Sequence, residues 1–203
     1  NKLLKNKKFK INVKKNIPQK SGMGGGSMNA ACLLKFFMKK KIINISKKTA
    51  ENISFSIGSD VVLGLEKKNT ILFKNGKIGR LKNSVNLYVL IAMPNFGCST
   101  TKIYSKIRNF SKQVYFKSNN QLFKTTNLIR SNNDLEKIVL NKHSKIKNLK
   151  NFLSVLPNVV FTRMTGSGSA VVAYFKSQKS AKKAAKIFKK KYRSYWYIVS
   201  KTI

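Results

Sequence analysis

Acidic residues are nearly absent from this 203-residue chain: five Asp and Glu stand against 43 Lys and Arg, a formal charge of +38. Histidine is scarcer still. His143 stands alone, so no multi-histidine metal site can be built. Cys32 and Cys98 are too few for a metal cluster of their own and read as free thiols in a reducing compartment. No apolar run approaches the roughly 20 residues that a membrane helix needs, and no signal-peptide pattern opens the chain. A cytoplasmic protein without a membrane partner is therefore expected. The chain begins at Asn1 rather than Met, which predicts a fragment or a truncated gene.

The excess of positive charge admits two readings. One is binding to nucleic acid or to an anionic membrane. The other is genomic bias, because Lys, Asn and Ile are abundant together. The lysines are spread along the chain and greatly outnumber the arginines that base and phosphate forks recruit. Bias is the better reading, and it predicts only non-specific, salt-sensitive polyanion binding. A basic RNA-binding protein stays as the alternative from another class. It predicts a clustered basic face with exposed aromatics, whereas most aromatics here fall at core-phase positions.

A hydrophobic content of 42% is that of a globular protein, and the length suits one large or two small domains. Phe9, Ile11 and Val13 alternate with lysine and asparagine, predicting a half-buried strand over 9–14. A helix follows with Ala30, Leu34, Phe37 and Met38 on one face and Ser27 as its cap. Ser46 opens a second helix with Ala50, Ile53 and Ile57 inward and Gly58 as its left-handed stop. Asn75-Gly76 marks a hairpin over 70–82. Residues 86–92 read as a buried strand ended by Pro94, and 98–101 as the start of a helix carrying Ile103, Tyr104 and Ile107. The polar stretch 109–130 gives no clear pattern. Asp134 is expected to cap a helix, with Glu136 matching its dipole. His143 reads as a solvated loop residue, and Ser144 as the cap of a helix stopped by Pro157. Strands at 158–163 and 170–175, a helix with Ala181, Ala184, Ala185 and Phe188, and a strand over 195–199 complete the chain.

One stretch stands apart: Pro18-Gln19-Lys20-Ser21-Gly22-Met23-Gly24-Gly25-Gly26-Ser27-Met28-Asn29-Ala30-Ala31, between a strand-like run and a helix-like run. Glycines let a ligand approach the main chain closely, and a helix N-terminus offers unpaired N–H groups with a partial positive charge. Together they make a phosphate cradle. No Gly-Lys-Ser/Thr closes it, and the spacing is not that of the dinucleotide fingerprint. The order Pro-x-x-x-Gly-Met-Gly-Gly-Gly-Ser-x-Asn-Ala-Ala instead resembles the phosphate loop of the GHMP small-molecule kinases. Further motifs follow in that family's order. Gly58-Ser59-Asp60-Val61-Val62 is similar to its Gly-Ala-Asp-Val-Pro, with Ser59 and Val62 as departures. Pro94 with Ser99-Thr100, Asn133-Asp134-Leu135, and Gly166-Ser167-Gly168-Ser169 come after it.

The resemblance implies an α+β, two-domain fold. An incomplete ribosomal-S5-like, ATP-binding N-terminal domain would span 1–83, and a ferredoxin-like C-terminal domain 84–203. It implies ATP and Mg²⁺ as cofactors. Residues 18–28 would hold the ATP phosphates, Ser27 is a candidate Mg²⁺ ligand, Asp60 is the catalytic base, and Gly166, Ser167 and Gly168 form a second loop near the site. From local chemistry alone, Asp60 reads equally well as the cap of a short helix. The third glycine and Asn29-Ala30-Ala31 are most similar to the branch of the family that phosphorylates the 2-hydroxyl of 4-diphosphocytidyl-2-C-methyl-D-erythritol in non-mevalonate isoprenoid synthesis. Homoserine- or mevalonate-type kinases are the alternatives within the family. No specific nucleic-acid partner is implied, and the protein would be a monomer or homodimer. The family's opening strands, with a catalytic lysine and part of a cytidine pocket, have no match in this sequence.

Overall fold

A computed structural model describes residues 4, 7–73, 75–81, 85–111, 121 and 123–202. The expected division between residues 83 and 84 lies outside them. The larger layer is an antiparallel sheet of β3 (Tyr88–Met93), β4 (Val159–Met164), β5 (Val171–Phe175) and β6 (Trp196–Lys201), in the order β4-β5-β3-β6. Helices α5 (Asp134–Lys142), α6 (Ser144–Ser154) and α7 (Gln178–Lys191) build the layer beside it. Taking β3, β4, β5 and β6 in chain order, with helices after the first and third, this is the expected ferredoxin-like arrangement.

The periodicities account for this packing. On α7, Ala181, Ala184, Ala185 and Phe188 are buried at helical spacing, and the intervening lysines are exposed. The small alanines let the helix lie close to the sheet, where Phe188 meets Phe152, Tyr192 and Tyr197. Leu90, Ala92, Ala173 and Phe175 supply the sheet's share of this core, and Ile146, Leu149 and Leu153 supply that of α6. Register then decides where the loops emerge. Ala92 lies opposite Val171, and Met164 is also opposite Val171. The end of β3, the end of β4 and the start of β5 therefore share one edge of the sheet, which delivers segments 94–99 and 165–170 side by side.

Before the sheet come α1 (Gly25–Lys39), α2 (Lys47–Ile57), a 3₁₀ turn (Val61–Gly64), and the hairpin of β1 (Asn69–Leu72) with β2 (Ile78–Leu81). Ser46 caps α2 as expected, its hydroxyl accepting the Thr49 N–H at 3.1 Å. Asn75 and Gly76 sit in the hairpin turn, where the Gly76 N–H reaches the Phe73 carbonyl at 2.9 Å. Leu34, Ile43 and Ala50 form a second, smaller core. Two short helices, α3 (Thr100–Tyr104) and α4 (Thr125–Arg130), lie between β3 and α5.

Several local expectations are corrected. Residues 9–14 alternate like a strand but form none. They pair with no described strand, and Phe9, Ile11 and Val13 are all exposed. Gly24, not Ser27, is the N-cap of α1, so Ser27 is its third helical residue. Gly58 does end α2, but in extended geometry (φ 170°) rather than a left-handed one. Ile57 is exposed, and Ser54 takes the inward position beside Ala50. His143 precedes Ser144 as the cap position of α6 and is not fully solvated: its ring lies 5.5 Å from that of Phe96. Asn133 caps α5 in place of Asp134, which is already the first helical residue and whose carboxylate accepts from the N–H and hydroxyl of Ser111.

Candidate active site

The glycine-rich stretch is fastened at its start and open at its end. The Cys98 N–H donates to the Lys20 carbonyl at 3.0 Å, and the Ala170 N–H donates to the Ser21 carbonyl at 3.1 Å. The Thr165 hydroxyl donates to the Gly22 carbonyl at 3.0 Å. Gly22 has φ 74°, and a Cβ there would lie 2.2 Å from the Thr165 carbonyl oxygen. Only glycine fits between the two loops at that point.

Gly24 turns the chain with φ 62° into α1, where Gly25 and Gly26 are the first helical residues. A Cβ on Gly24, Gly25 or Gly26 would meet nothing within 4 Å. No protein neighbour therefore requires glycine at 25 or 26, although glycine in a helix costs up to about 1 kcal/mol relative to alanine. The remaining use for this bare backbone is close approach by something outside the chain. The first N–H groups of the helix face that space with the positive end of its dipole, as an anion requires.

Asp60 arrives by a separate route. Gly64, at the end of the 3₁₀ turn, lies so close to α1 that a Cβ would be 2.6 Å from that of Ala31. Val61 and Val62 are buried beneath the turn. From β2, the Arg80 guanidinium donates to the Val62 carbonyl at 2.9 Å, and it pairs with Glu66 at 3.6 Å. Lys47 and Lys68 also contact Glu66 and, together with Arg80, hold its carboxyl down at about 2 against an ordinary 4.5. Asp60 itself starts the turn, makes no capping hydrogen bond and is exposed. Of the two local readings of Asp60, the capping one thus lacks its bond.

These pieces meet around one cleft of about 650 Å³. It is lined by residues 14–29, Asp60, Thr100, Tyr104, Gly166 and Ser167. Asp60 is the one carboxylate among those residues, and Lys14, Lys15 and Lys20 supply positive charge. Of the expected site residues, Pro18 to Met28, Asp60, Gly166 and Ser167 all reach the cleft. Gly168 does not line it; a Cβ there would sit 2.8 Å from the Met164 sulfur and 3.6 Å from that of Cys98. Cys98 is buried, which pushes its thiol pKa up and leaves it a packing residue. Ser167 shares a 2.9 Å hydrogen bond with Thr100, which ties α3 to the second loop. Arg80 and Glu66 escape the sequence reading, because their roles depend on contacts that no local pattern encodes, whereas Thr100 belongs to the Ser99-Thr100 pair that the sequence singles out.

The open helix start and the lysines of this cleft suit the phosphates of a nucleotide. Among the described residues no group of three His, Cys, Asp or Glu could cage an ion. Mg²⁺ needs no such cage, since it is commonly held by one or two protein groups together with substrate phosphates.

Comparison with known proteins gives the family. The profile of the GHMP kinases N terminal domain matches residues 1–67, and that of the GHMP kinases C terminal region matches residues 117–194. A 4-diphosphocytidyl-2-C-methyl-D-erythritol kinase of Pelagibacter ubique is 52% identical over 202 residues, covering 100% of this chain and 72% of that protein. One from Clostridium perfringens is 33% identical, covering 96% of this chain and 69% of its own. A crystal structure of 4-(cytidine 5'-diphospho)-2C-methyl-D-erythritol kinase superposes with a TM-score of 0.74 at 19% identity, over 92% of this chain and 67% of that one. Homoserine kinase from Cytophaga hutchinsonii follows at 0.69 and 16%, over 93% of this chain and 68% of that one. With both regions of the family matched in order, and a relative 52% identical over the whole of this chain, this chain belongs to the GHMP kinase family.

Proposed function

We propose that the chain is an ATP-dependent kinase that phosphorylates the 2-hydroxyl of 4-diphosphocytidyl-2-C-methyl-D-erythritol, serving isoprenoid precursor synthesis. The substrate follows from the names of the relatives that cover the chain. The chemistry follows from one observation: a lone carboxylate, Asp60, shares a cleft with an open, glycine-built helix start.

Phosphoryl transfer asks a protein for positioning and charge stabilisation more than for covalent help. The N–H groups from Gly22 to Ser27 hold the phosphates, and Lys14, Lys15 and Lys20 add positive charge around them. The Ser27 hydroxyl would serve as a ligand to Mg²⁺ bound with the nucleotide, and the ion would supply neutralisation of phosphate charge. Asp60 accepts the proton of the attacking hydroxyl. The oxygen forms a bond to the terminal phosphorus as the bond to the departing diphosphate breaks. Gly166 and Ser167 close the other side of the cleft and limit where the acceptor can sit. The reading assigns the ATP-binding part to residues 1–83 and the ferredoxin-like part to 84–203. It places the enzyme in the cytoplasm as a monomer or homodimer, without a specific nucleic-acid partner.

The test is turnover by the protein with ATP, Mg²⁺ and the diphosphocytidyl substrate, beside homoserine and mevalonate as competing acceptors. Phosphorylation of the diphosphocytidyl compound alone supports the reading. Preference for either competitor moves the chain to another branch of the family.

A further inference from the structure

We infer that Asn133 is a positioning residue for the nucleotide site, holding the second glycine loop and, through it, the phosphate loop. This rests on the kinase reading above for its catalytic consequence but not for its structural one. The Asn133 side chain makes three hydrogen bonds. Its Nδ2 donates to the Met164 carbonyl at 2.9 Å and to the Gly166 carbonyl at 2.8 Å. Its Oδ1 accepts the Leu135 N–H at 3.0 Å. The partners dictate the orientation of the amide, because two carbonyls can only accept and the helix N–H can only donate. One side chain therefore caps α5 and clamps the loop at two carbonyls, on either side of Thr165.

Thr165 carries the constraint onward. Its hydroxyl bonds the Gly22 carbonyl, and a Cβ on Gly166 would lie 2.6 Å from that same oxygen. The two backbones touch, so a shift of the second loop must displace Gly22 and hence the approach to α1. A second support acts from the same helix. The Met164 N–H donates to the Glu136 carboxylate at 2.6 Å, and Lys150 on α6 pairs with that carboxylate. The start of α5 thus holds both the carbonyl and the N–H of Met164. Asn133 itself is absent from the lining of the nucleotide cleft, so it acts through the loops rather than by touching the nucleotide.

Capping and clamping can be separated. Ser and Asp are both good helix caps, so Asn133→Ser and Asn133→Asp both keep the bond to Leu135. Asn133→Asp loses both donors to Met164 and Gly166, and Asn133→Ser leaves one shorter hydroxyl donor that cannot serve both carbonyls. Amide hydrogen exchange is measured first, without nucleotide, at the Ala170 N–H that bonds Ser21. Exchange there is expected to quicken at least tenfold in both variants, while Leu90 and Ala173 in the sheet stay as in the parent. Steady-state kinetics are then measured beside the parent protein, with KM for ATP expected to rise about tenfold and KM for the acceptor to change little. Unchanged exchange at Ala170 overturns the clamp whether or not the protein is a kinase. Quickened exchange with an unchanged KM for ATP overturns the link to the phosphate loop. A parent protein that turns over no acceptor refutes the proposed function, yet exchange still decides the clamp.

Discussion

Replacing Gly25 with alanine should push stability and nucleotide affinity in opposite directions. The backbone of Gly25 is ordinary helix, and an added methyl would meet nothing within 4 Å. Such a change stabilises by about 0.4–1 kcal/mol, chiefly by restricting the unfolded chain. For a chain of this size that raises Tm by about 1–4 °C. The same methyl occupies the space over the first N–H groups of α1. Weakening one charge-assisted hydrogen bond there costs about 1.5–3 kcal/mol, at least a tenfold loss of affinity. The assay is thermal unfolding with and without ATP. At ATP a hundredfold above the parent's Kd, the ligand stabilises the parent by about 2.7 kcal/mol and a tenfold weaker variant by about 1.4 kcal/mol. The variant should therefore melt higher alone and gain about half as much from ATP. An equal gain would mean that nothing binds over Gly25, and the cradle would have to be abandoned. Gly22→Ala supplies the contrast: its methyl would strike the Thr165 carbonyl, so it should destabilise the protein outright.

Asp60→Asn should lower kcat by about 10²–10⁴ while ATP still protects against thermal unfolding; undiminished kcat would remove Asp60 from the base role. Glu66 gives a pH signature. Its carboxyl is depressed to about 2 in the folded protein, so its stabilisation is complete above its unfolded value and is lost as pH falls from about 4.5 towards 2. Melting curves over that window should show Glu66→Gln losing less stability on acidification than the parent. Nucleic-acid binding, measured by fluorescence anisotropy, should show no sequence preference and should fall about a thousandfold between roughly 50 and 200 mM salt. A sequence-specific complex at physiological salt would revive the nucleic-acid reading.

The two glycine loops are legible in the sequence because close approach at Gly22, Gly166 and Gly168 admits almost no other residue, and because Gly24-Gly25-Gly26 is a run that no packing demand accounts for. The helices of the ferredoxin-like layer are legible through periodic alanine and leucine. Asp60 is conspicuous because acidic residues are so few. What escapes is whatever depends on partners distant in the chain. Serine at 27 has the chemistry of a cap, but Gly24 turns the chain three residues earlier. Asp134 could cap α5, yet Ser111 claims its carboxylate and Asn133 caps instead. The alternation at 9–14 describes what a strand would bury, but a strand also needs a neighbour for its N–H and carbonyl groups. Among the described residues none pairs with it. Asn133 reads as one letter of a short motif, and its reach to Met164 and Gly166 is visible only once β4 is in place.

The hydrogen bond from Thr165 to Gly22 spans 143 residues of chain, and that separation bears on how the protein folds. Closing a loop of this length costs about 4 kcal/mol in chain entropy beyond a constant, and no local contact repays it. Helix α1 can form early from its own sequence, whereas the cradle waits until β4 and β5 have docked. During synthesis the phosphate loop leaves the ribosome long before the residues that secure it. The capacity to bind ATP should therefore appear late in refolding, behind helix content and behind burial of the sheet core, making nucleotide a reporter of the last long-range closure.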